Sequence, residues 1–384
     1  MILCGGKGER LYPLTRDRSK PSVPFLGAYR IIDFSLSNAL NSGLRKIALV
    51  TQYKSLSLER HIINGWNIFH AESGDYIMSL PAQGRVSDHW YEGTADAVFQ
   101  NVYTIQQENP DYVLVLSGDH IYKADYRKLL MFSGQVQADA TIMTRVVPAQ
   151  EASRFGVIGV DEDHRIIEFM EKPKKPFATP WDPSKALISM GIYLFKTPVL
   201  IKALIKDARN SSSSHDFGRD ILPSLIADLR VFAFLFDDYW EDIGTIDAYW
   251  NANMAFLTAD PPAILRDPGW PVRSYRPQYA PAFVEGGTIR NSILSSGVHI
   301  RGGHVENSIL SPGVRVQDKA EVKDSILLEG VDVGRGARLQ KVIIDKRSVI
   351  PERFEIGFDA DKDARNFKIS RGGVRVVPKG WTAE

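Results

Sequence analysis

The sequence predicts an α/β domain built on a mostly parallel sheet, followed by a left-handed or similar parallel β-helix. Three observations carry that prediction. Through the first two thirds of the chain, short apolar runs alternate with helical patterns. The composition changes after about residue 258, and from residue 291 a motif recurs at intervals of 16, 17 and 17 residues.

The apolar runs come first. Ile47-Ala48-Leu49-Val50 ends in Thr51-Gln52-Tyr53, and Tyr112-Val113-Leu114-Val115-Leu116 ends in Ser117-Gly118-Asp119. Runs that are apolar throughout indicate strands covered on both faces, as in a parallel sheet. Segments 34–43 and 95–107 read as helices between them. Such alternation places ligands at the carboxyl ends of the strands. Residues 1–258 therefore form the first domain. Residues 259–282 hold six prolines interleaved with Trp270, Tyr275 and Tyr279, which reads as an ordered linker.

Residues 283–384 form the second domain. Asn291-Ser292-Ile293-Leu294, Asn307-Ser308-Ile309-Leu310, Asp324-Ser325-Ile326-Leu327 and Lys341-Val342-Ile343-Ile344 mark four coils. Gly297-Val298, Gly313-Val314, Gly330-Val331 and Ser348-Val349 follow at the same spacing. Short β steps with glycines at the corners are the signature of a solenoid whose coils share one core.

The 384 residues carry 47 Lys+Arg and 46 Asp+Glu, a formal charge of +1, which argues against a nucleic-acid binder held by bulk charge. The one cysteine, Cys4, excludes an internal disulfide and fits a reducing compartment. No apolar stretch reaches the 18 or so residues of a membrane span, and the first residues lack a secretory signal, so a cytoplasmic protein is expected.

The strongest local signal is Gly5-Gly6-Lys7-Gly8-Glu9-Arg10-Leu11, with Lys20-Pro21 after it. Glycines after a short strand let backbone N–H groups approach phosphates. No Gly-Lys-Ser/Thr closes the loop, so it is not a Walker A motif, and Leu11 replaces the third glycine of a dinucleotide fingerprint. Arg10 and Lys20 supply cations for a triphosphate.

This string resembles the sugar-nucleotide pyrophosphorylases. Further strings narrow the likeness: Tyr29-Arg30-Ile31-Ile32-Asp33-Phe34, Gly93-Thr94-Ala95-Asp96-Ala97, Ser117-Gly118-Asp119-His120-Ile121-Tyr122, Glu171-Lys172-Pro173, Ser189-Met190-Gly191, His215-Asp216-Phe217-Gly218 and Trp240-Glu241-Asp242-Ile243-Gly244. Together, over nearly the whole chain, they are similar to the glucose-1-phosphate adenylyltransferase family. The resemblance implies a Rossmann-like nucleotidyltransferase domain that joins ATP and glucose 1-phosphate into ADP-glucose and diphosphate for glycogen synthesis. It implies Mg²⁺ held by Asp119 and Asp242, with Arg10, Lys20 and Asp119 catalytic. It places glucose 1-phosphate at Tyr91, Gly156, Glu171, Lys172 and Ser189. The nucleotide falls to Gly5, Gly6, Gly8, Gln83, Gly93 and Thr94. Phosphoryl-type transfer needs charge neutralisation and positioning more than covalent help, which suits two carboxylates and several cations. His120 is read as supporting structure, because the attacking phosphate is already ionised.

The family likeness also implies a homotetramer and small-molecule allosteric effectors. Competing readings are a non-catalytic regulatory subunit of the same fold, a pyrophosphorylase using UTP or dTTP, and a β-helix acyltransferase. The presence of Arg10, Lys20, Asp119, Lys172 and Asp242 favours catalysis. The chain departs from the family pattern in four places. Only Met1–Cys4 precede the glycine loop, where an arm and a longer first strand are expected. Cys4 replaces an alanine, Leu26 a glycine, and Asp17 a basic position. Arg365 and Lys368 are expected to contribute to an anion site between the domains.

Overall fold

The computed structural model describes residues 1–82 and 90–383. Its central sheet has nine strands: β1 (Ile2–Leu3), β2 (Lys46–Thr51), β3 (Tyr76–Pro81), β4 (Tyr112–Ser117), β5 (Ala140–Pro148), β6 (Gly156–Val160), β7 (Ile166–Glu171), β8 (Lys185–Lys196) and β9 (Val231–Leu235). The order is β7-β6-β8-β4-β1-β2-β3, with β5 paired to β8 and β9 to β5. One half, β4-β1-β2-β3, is parallel. The long strand β8 runs against β4, β5 and β6, which makes the sheet mixed.

Strand β4 explains the uniform apolar runs. Val113 and Val115 enter one core cluster, with the helix Thr197–Ala208, while Leu114 and Leu116 face the other, with Leu36 and Ala39 of the helix Ile31–Asn41. Both faces are covered, so period-two polarity disappears. In register, Leu3 lies beside Val50 and Ser117. The loops after β1, β2 and β4 therefore leave the sheet at one edge, where they meet.

The helix Ile31–Asn41 begins at a buried carboxylate. Asp33 is fully buried and accepts from Arg30 N–H at 2.7 Å, Trp66 Nε1 at 2.9 Å and Ser274 Oγ at 2.6 Å, with His61 Nε2 at 2.6 Å. Ser274 belongs to segment 259–282, which straps this helix to the second domain. Trp270 Nε1 donates to Asn38 Oδ1 at 3.0 Å and Arg273 N–H to Ser37 Oγ at 2.9 Å. The Tyr279 ring lies over the corner glycines Gly297 and Gly313, where any Cβ would meet it.

The second domain is a parallel β-helix of three faces. Two faces carry five strands each, one coil more than the sequence repeat marks, because Phe283–Glu285 and Thr288–Arg290 pair in register ahead of it. The repeat begins at left-handed corners: Asn291, Asn307, Asp324 and Lys341 have φ between 45° and 51°. Asn tolerates that region through local side-chain hydrogen bonds. Here Asn291 Nδ2 donates to Asn307 Oδ1 at 2.9 Å, and Asn307 Nδ2 to Asp324 Oδ1 at 2.5 Å. Ile309, Ile326 and Ile343 reach out of the solenoid into a cluster with Leu11, Phe25, Ile31 and Tyr249, so the two domains share one core. A buried ion pair, Arg18 Nη2 to Asp345 Oδ1 at 2.9 Å, also crosses the interface.

An interdomain cleft of about 470 Å³ opens beside that pair, lined by Arg18, Arg30, Arg60, Lys346, Arg347 and Lys379 among others. Arg365 and Lys368 are not in this wall, contrary to the sequence expectation. Arg365 is exposed on the helix Ala360–Asn366 and Lys368 sits over the Tyr12 ring. Asp17 does line the cleft, held between Arg16 at 3.2 Å and Lys379 at 3.8 Å. Leu26 adopts φ 48°, a strained choice where glycine is usual, offset by burial of its side chain. No helix among the described residues is long and apolar enough to cross a membrane.

Replacing Asp33 by Ala strands several buried donors at once. Its expected cost is about 3–5 kcal/mol in urea unfolding, against about 1 kcal/mol for Ser274→Ala, which removes one partner. Equal costs for the two variants contradict the assignment of Asp33 as the hub.

Candidate active site

The glycine loop follows β1 directly. Gly8 takes φ 64°, and a Cβ there would lie 3.0 Å from Thr15 Cγ2 and 3.4 Å from Lys20 Cβ, so both backbone and space demand glycine. Its carbonyl accepts from Thr15 Oγ1 at 2.9 Å, which fixes the loop's exit. A cavity of about 480 Å³ lies against Gly5, Gly6, Gly8, Arg10, Lys20 and Asp119.

Asp119 follows the end of β4. The next residues, His120–Tyr122, pair antiparallel with Trp240–Asp242, and this register sets Asp242 opposite His120. Two carboxylates distant in sequence thus converge. Lys20 Nζ sits between them, 2.7 Å from Asp119 Oδ2 and 3.0 Å from Asp242 Oδ1. Ser117 Oγ donates to the other Asp119 oxygen, with His120 Nε2 3.3 Å away. Burial opposes the charge on Asp119, but Lys20 and His120 outweigh it and hold the carboxyl well below the usual carboxylate range. Burial likewise opposes the charge on Lys20, yet the two carboxylates push its pKa up. Arg10 flanks the pair: the Cβ position of Gly244 is 3.2 Å from Arg10 Nη2 and 3.4 Å from Asp242 Oδ2.

A second cluster lies beside the first. Glu171 ends β7 opposite Gly156, the first residue of β6. The Glu171 carboxylate pairs with Lys172 Nζ through Oε1. Lys172 itself has φ 50° and anchors its N–H on Phe155 O at 3.0 Å. Ser189 is buried where the β8–β5 register shifts, and its Oγ accepts from Gly191 N–H at 3.2 Å. Gly191 has φ 66°, and a Cβ built on it would stand 3.7 Å from both Ser117 and His120, so the bulge lies beside the first cluster.

Comparison with known proteins bears on what this geometry serves. Residues 1–259 match the nucleotidyl transferase family model, and residues 282–377 match the GlmU-like C-terminal hexapeptide model. The chain is 47% identical to a glucose-1-phosphate adenylyltransferase of Rhodopirellula baltica, covering 99% of this chain and 89% of the relative. It is 46% identical to one of Koribacter versatilis, over 100% and 95% of the two chains. It is also 48% identical to glucose-1-phosphate adenylyltransferase 2 of Vibrio cholerae, over 99% and 97%. The chain belongs to the glucose-1-phosphate adenylyltransferase family. That membership covers both domains, so the catalytic fold and the hexapeptide β-helix are family features together.

Within the family frame, the sequence-derived residues fall into three places. Gly5, Gly6, Gly8, Arg10, Lys20, Asp119 and Asp242 form the first cluster, and Gly156, Glu171, Lys172 and Ser189 the second. Tyr91 and Gly93 precede the helix Thr94–Phe99, which Thr94 opens. Tyr91 Oη accepts from Asn101 Nδ2 at 3.0 Å, and Thr94 Oγ1 donates to Asp216 Oδ2 at 2.9 Å. Thr94 thus props the His215–Gly218 segment. Gln83 lies outside the described residues. Sequence reasoning assigned no role to Ser117, Gly191 or Gly218, although each sits in a string it quoted; only the fold shows what they touch. Cys4 is buried beneath Gly118, and burial pushes its thiol well up, away from any nucleophilic role.

Lys20 makes the first cluster's stability depend on pH in a definite direction. A carboxyl held low in the fold adds stability that is complete above about pH 4 and fades as pH falls below it. In Lys20→Met the main opposing cation is gone, burial dominates, and Asp119 destabilises at neutral pH until acid protonates it. The stability gap between wild type and Lys20→Met, read by urea unfolding in chelator, should be widest near neutral pH and close on acidification. A gap independent of pH contradicts the pairing.

Proposed function

We propose that this chain is a Mg²⁺-dependent glucose-1-phosphate adenylyltransferase, making ADP-glucose and diphosphate from ATP and glucose 1-phosphate for glycogen synthesis. The observation that carries the reading is the convergence of Asp119 and Asp242 on one cation position at the mouth of the glycine loop, in a chain that matches the family end to end.

Carboxylate oxygens are hard donors of the kind Mg²⁺ takes, and the short distances to Lys20 support a pair able to face one cation. Asp119 and Asp242 would hold the ion, with Mg²⁺ neutralising phosphate charge when bound. Backbone N–H groups of Gly5–Gly8 cradle the ATP phosphates, and Arg10 and Lys20 offset the charge of the departing diphosphate. Lys172 holds the phosphate of glucose 1-phosphate as a point charge, and Glu171 accepts from sugar hydroxyls. Tyr91, Gly156 and Ser189 complete the sugar side, and Gln83, Gly93 and Thr94 the base side. A phosphate oxygen of the sugar then attacks the α-phosphorus of ATP, forming one O–P bond as the bond to the β-phosphate oxygen breaks. The nucleophile is already ionised, so no general base is required.

The homotetramer and the effectors belong to the same reading. The first coil exposes Phe283, Val284 and Ile289, which supports burial against another copy, and the cation-rich cleft supports an anionic effector. A cytoplasmic setting follows from the nature of the substrates.

Diphosphate release with glucose 1-phosphate and each of ATP, UTP, dTTP and GTP tests the reading. ATP-selective turnover is expected. Asp119→Asn should lower kcat by about 100-fold or more. Lys172→Ala should raise the KM for glucose 1-phosphate by about 10–100-fold with ATP little affected. Equal turnover with UTP, or full activity in Asp119→Asn, sinks the proposal.

A further inference from the structure

The Glu171 carboxylate sits in a notch whose two walls are glycines from different parts of the chain. A Cβ built on Gly156 would stand 2.9 Å from Glu171 Oε2 and 2.5 Å from the Phe169 ring. Across the same oxygen, a Cβ on Gly218 would stand 2.8 Å from Oε2 and 3.4 Å from Cδ. Gly156 faces Glu171 across a β-ladder, so its closeness is local. Gly218 arrives from a one-turn helix, Phe217–Ile221, and its closeness is a tertiary choice.

The segment carrying Gly218 is held firmly. Asp216 Oδ1 accepts from the N–H groups of Gly218 at 2.9 Å and Arg219 at 3.1 Å. Its other oxygen accepts from Thr94 Oγ1, which in turn accepts from Phe217 N–H at 3.0 Å. The Phe217 ring stacks on Phe195 at 5.8 Å and tilts against Tyr193 at 5.5 Å. The His215 carbonyl accepts from Ala95 N–H at 2.8 Å and lies where any Gly93 Cβ would be. Gly218 does not occupy the left-handed region. Alanine suits its backbone, and the closest obstacle to a side chain is the Glu171 carboxylate, with Asp216 Oδ1 next at 3.3 Å.

We propose that Gly218 is a positioning residue for sugar recognition: its bare Cα sets the orientation of Glu171 and so the enzyme's choice among sugar 1-phosphates that differ in hydroxyl configuration. This rests on the reading of Glu171 as the acceptor for sugar hydroxyls. Sites that hydrogen-bond a substrate hydroxyl reject analogues that leave the partner unpaired, and that rejection weakens when the partner is displaced.

The test uses Gly218→Ala, Glu171→Asp and the double variant, with KM and kcat measured for ATP, glucose 1-phosphate and galactose 1-phosphate. Gly218→Ala should raise the KM for glucose 1-phosphate about tenfold or more, leave that for ATP within about twofold, and shrink the preference for glucose over galactose 1-phosphate. Shortening the acid by one methylene makes room for the new methyl, so the double variant should be no worse than Glu171→Asp alone. Losses that multiply in the double variant, an unchanged sugar KM in Gly218→Ala, or an equal rise in both KM values overturns the proposal. If Gly218→Ala fails to fold, the double variant decides: it must fold and match Glu171→Asp, and failure there is equally fatal. A wild-type chain that turns over no sugar 1-phosphate sinks the underlying reading first and the proposal with it.

Discussion

Two carboxylates held in one small space repel, and this repulsion is the constraint around which the catalytic domain is arranged. Asp119 and Asp242 are brought together by the pairing of His120–Tyr122 with Trp240–Asp242, and Lys20 is inserted between them. Lys20 is itself buried, so neither partner is stable in its charged form without the other. The need for a cation there sets the path of the glycine loop, since Gly8 packs on Lys20 and the loop must close without a side chain.

The supports of this arrangement run through the helix Ile31–Asn41. Ser35 Oγ donates to Ser117 O at 2.9 Å, and Asn38 Nδ2 to Tyr122 O at 3.1 Å, which brackets the Asp119 segment on both sides. The same helix starts at Asp33, whose carboxylate gathers donors from the cleft wall and from the interdomain strap. One short helix therefore contacts the Asp119 loop at one flank and the domain interface at its beginning. Its near-total burial explains why its sequence is apolar with a few small hydroxyl and amide residues, of which Ser35, Ser37, Asn38 and Asn41 bond backbone groups of neighbouring segments.

Much of this was legible in the sequence. The apolar strands, the coil repeat, the glycine loop and the two acidic strings each depend on local spacing, and local spacing is what a sequence displays. The mixed character of the sheet was not legible, because β8 runs antiparallel for reasons of connection, not composition. The first strands of two faces, Phe283–Glu285 and Thr288–Arg290, escaped the repeat because Pro281-Ala282 stands before them where later coils have Gly-Val. Arg365 and Lys368 looked suited to a site between the domains by charge alone, and charge does not say which surface a helix or a strand presents. Gln83 lies outside the described residues.

The sequence by itself determined the elements, the domain order and the chemical kind of each site residue, since periodicity, corner residues and short motifs act over a few positions. Only the tertiary structure decided which of those residues meet. Lys20 is 99 residues from Asp119 and 222 from Asp242, and Gly218 reaches Glu171 through the packing of Phe217 on β8. Such contacts are set by strand register and by shared core volume, which depend on the whole chain at once. A glycine in a string records that a side chain is absent; the fold alone shows that a carboxylate occupies the space.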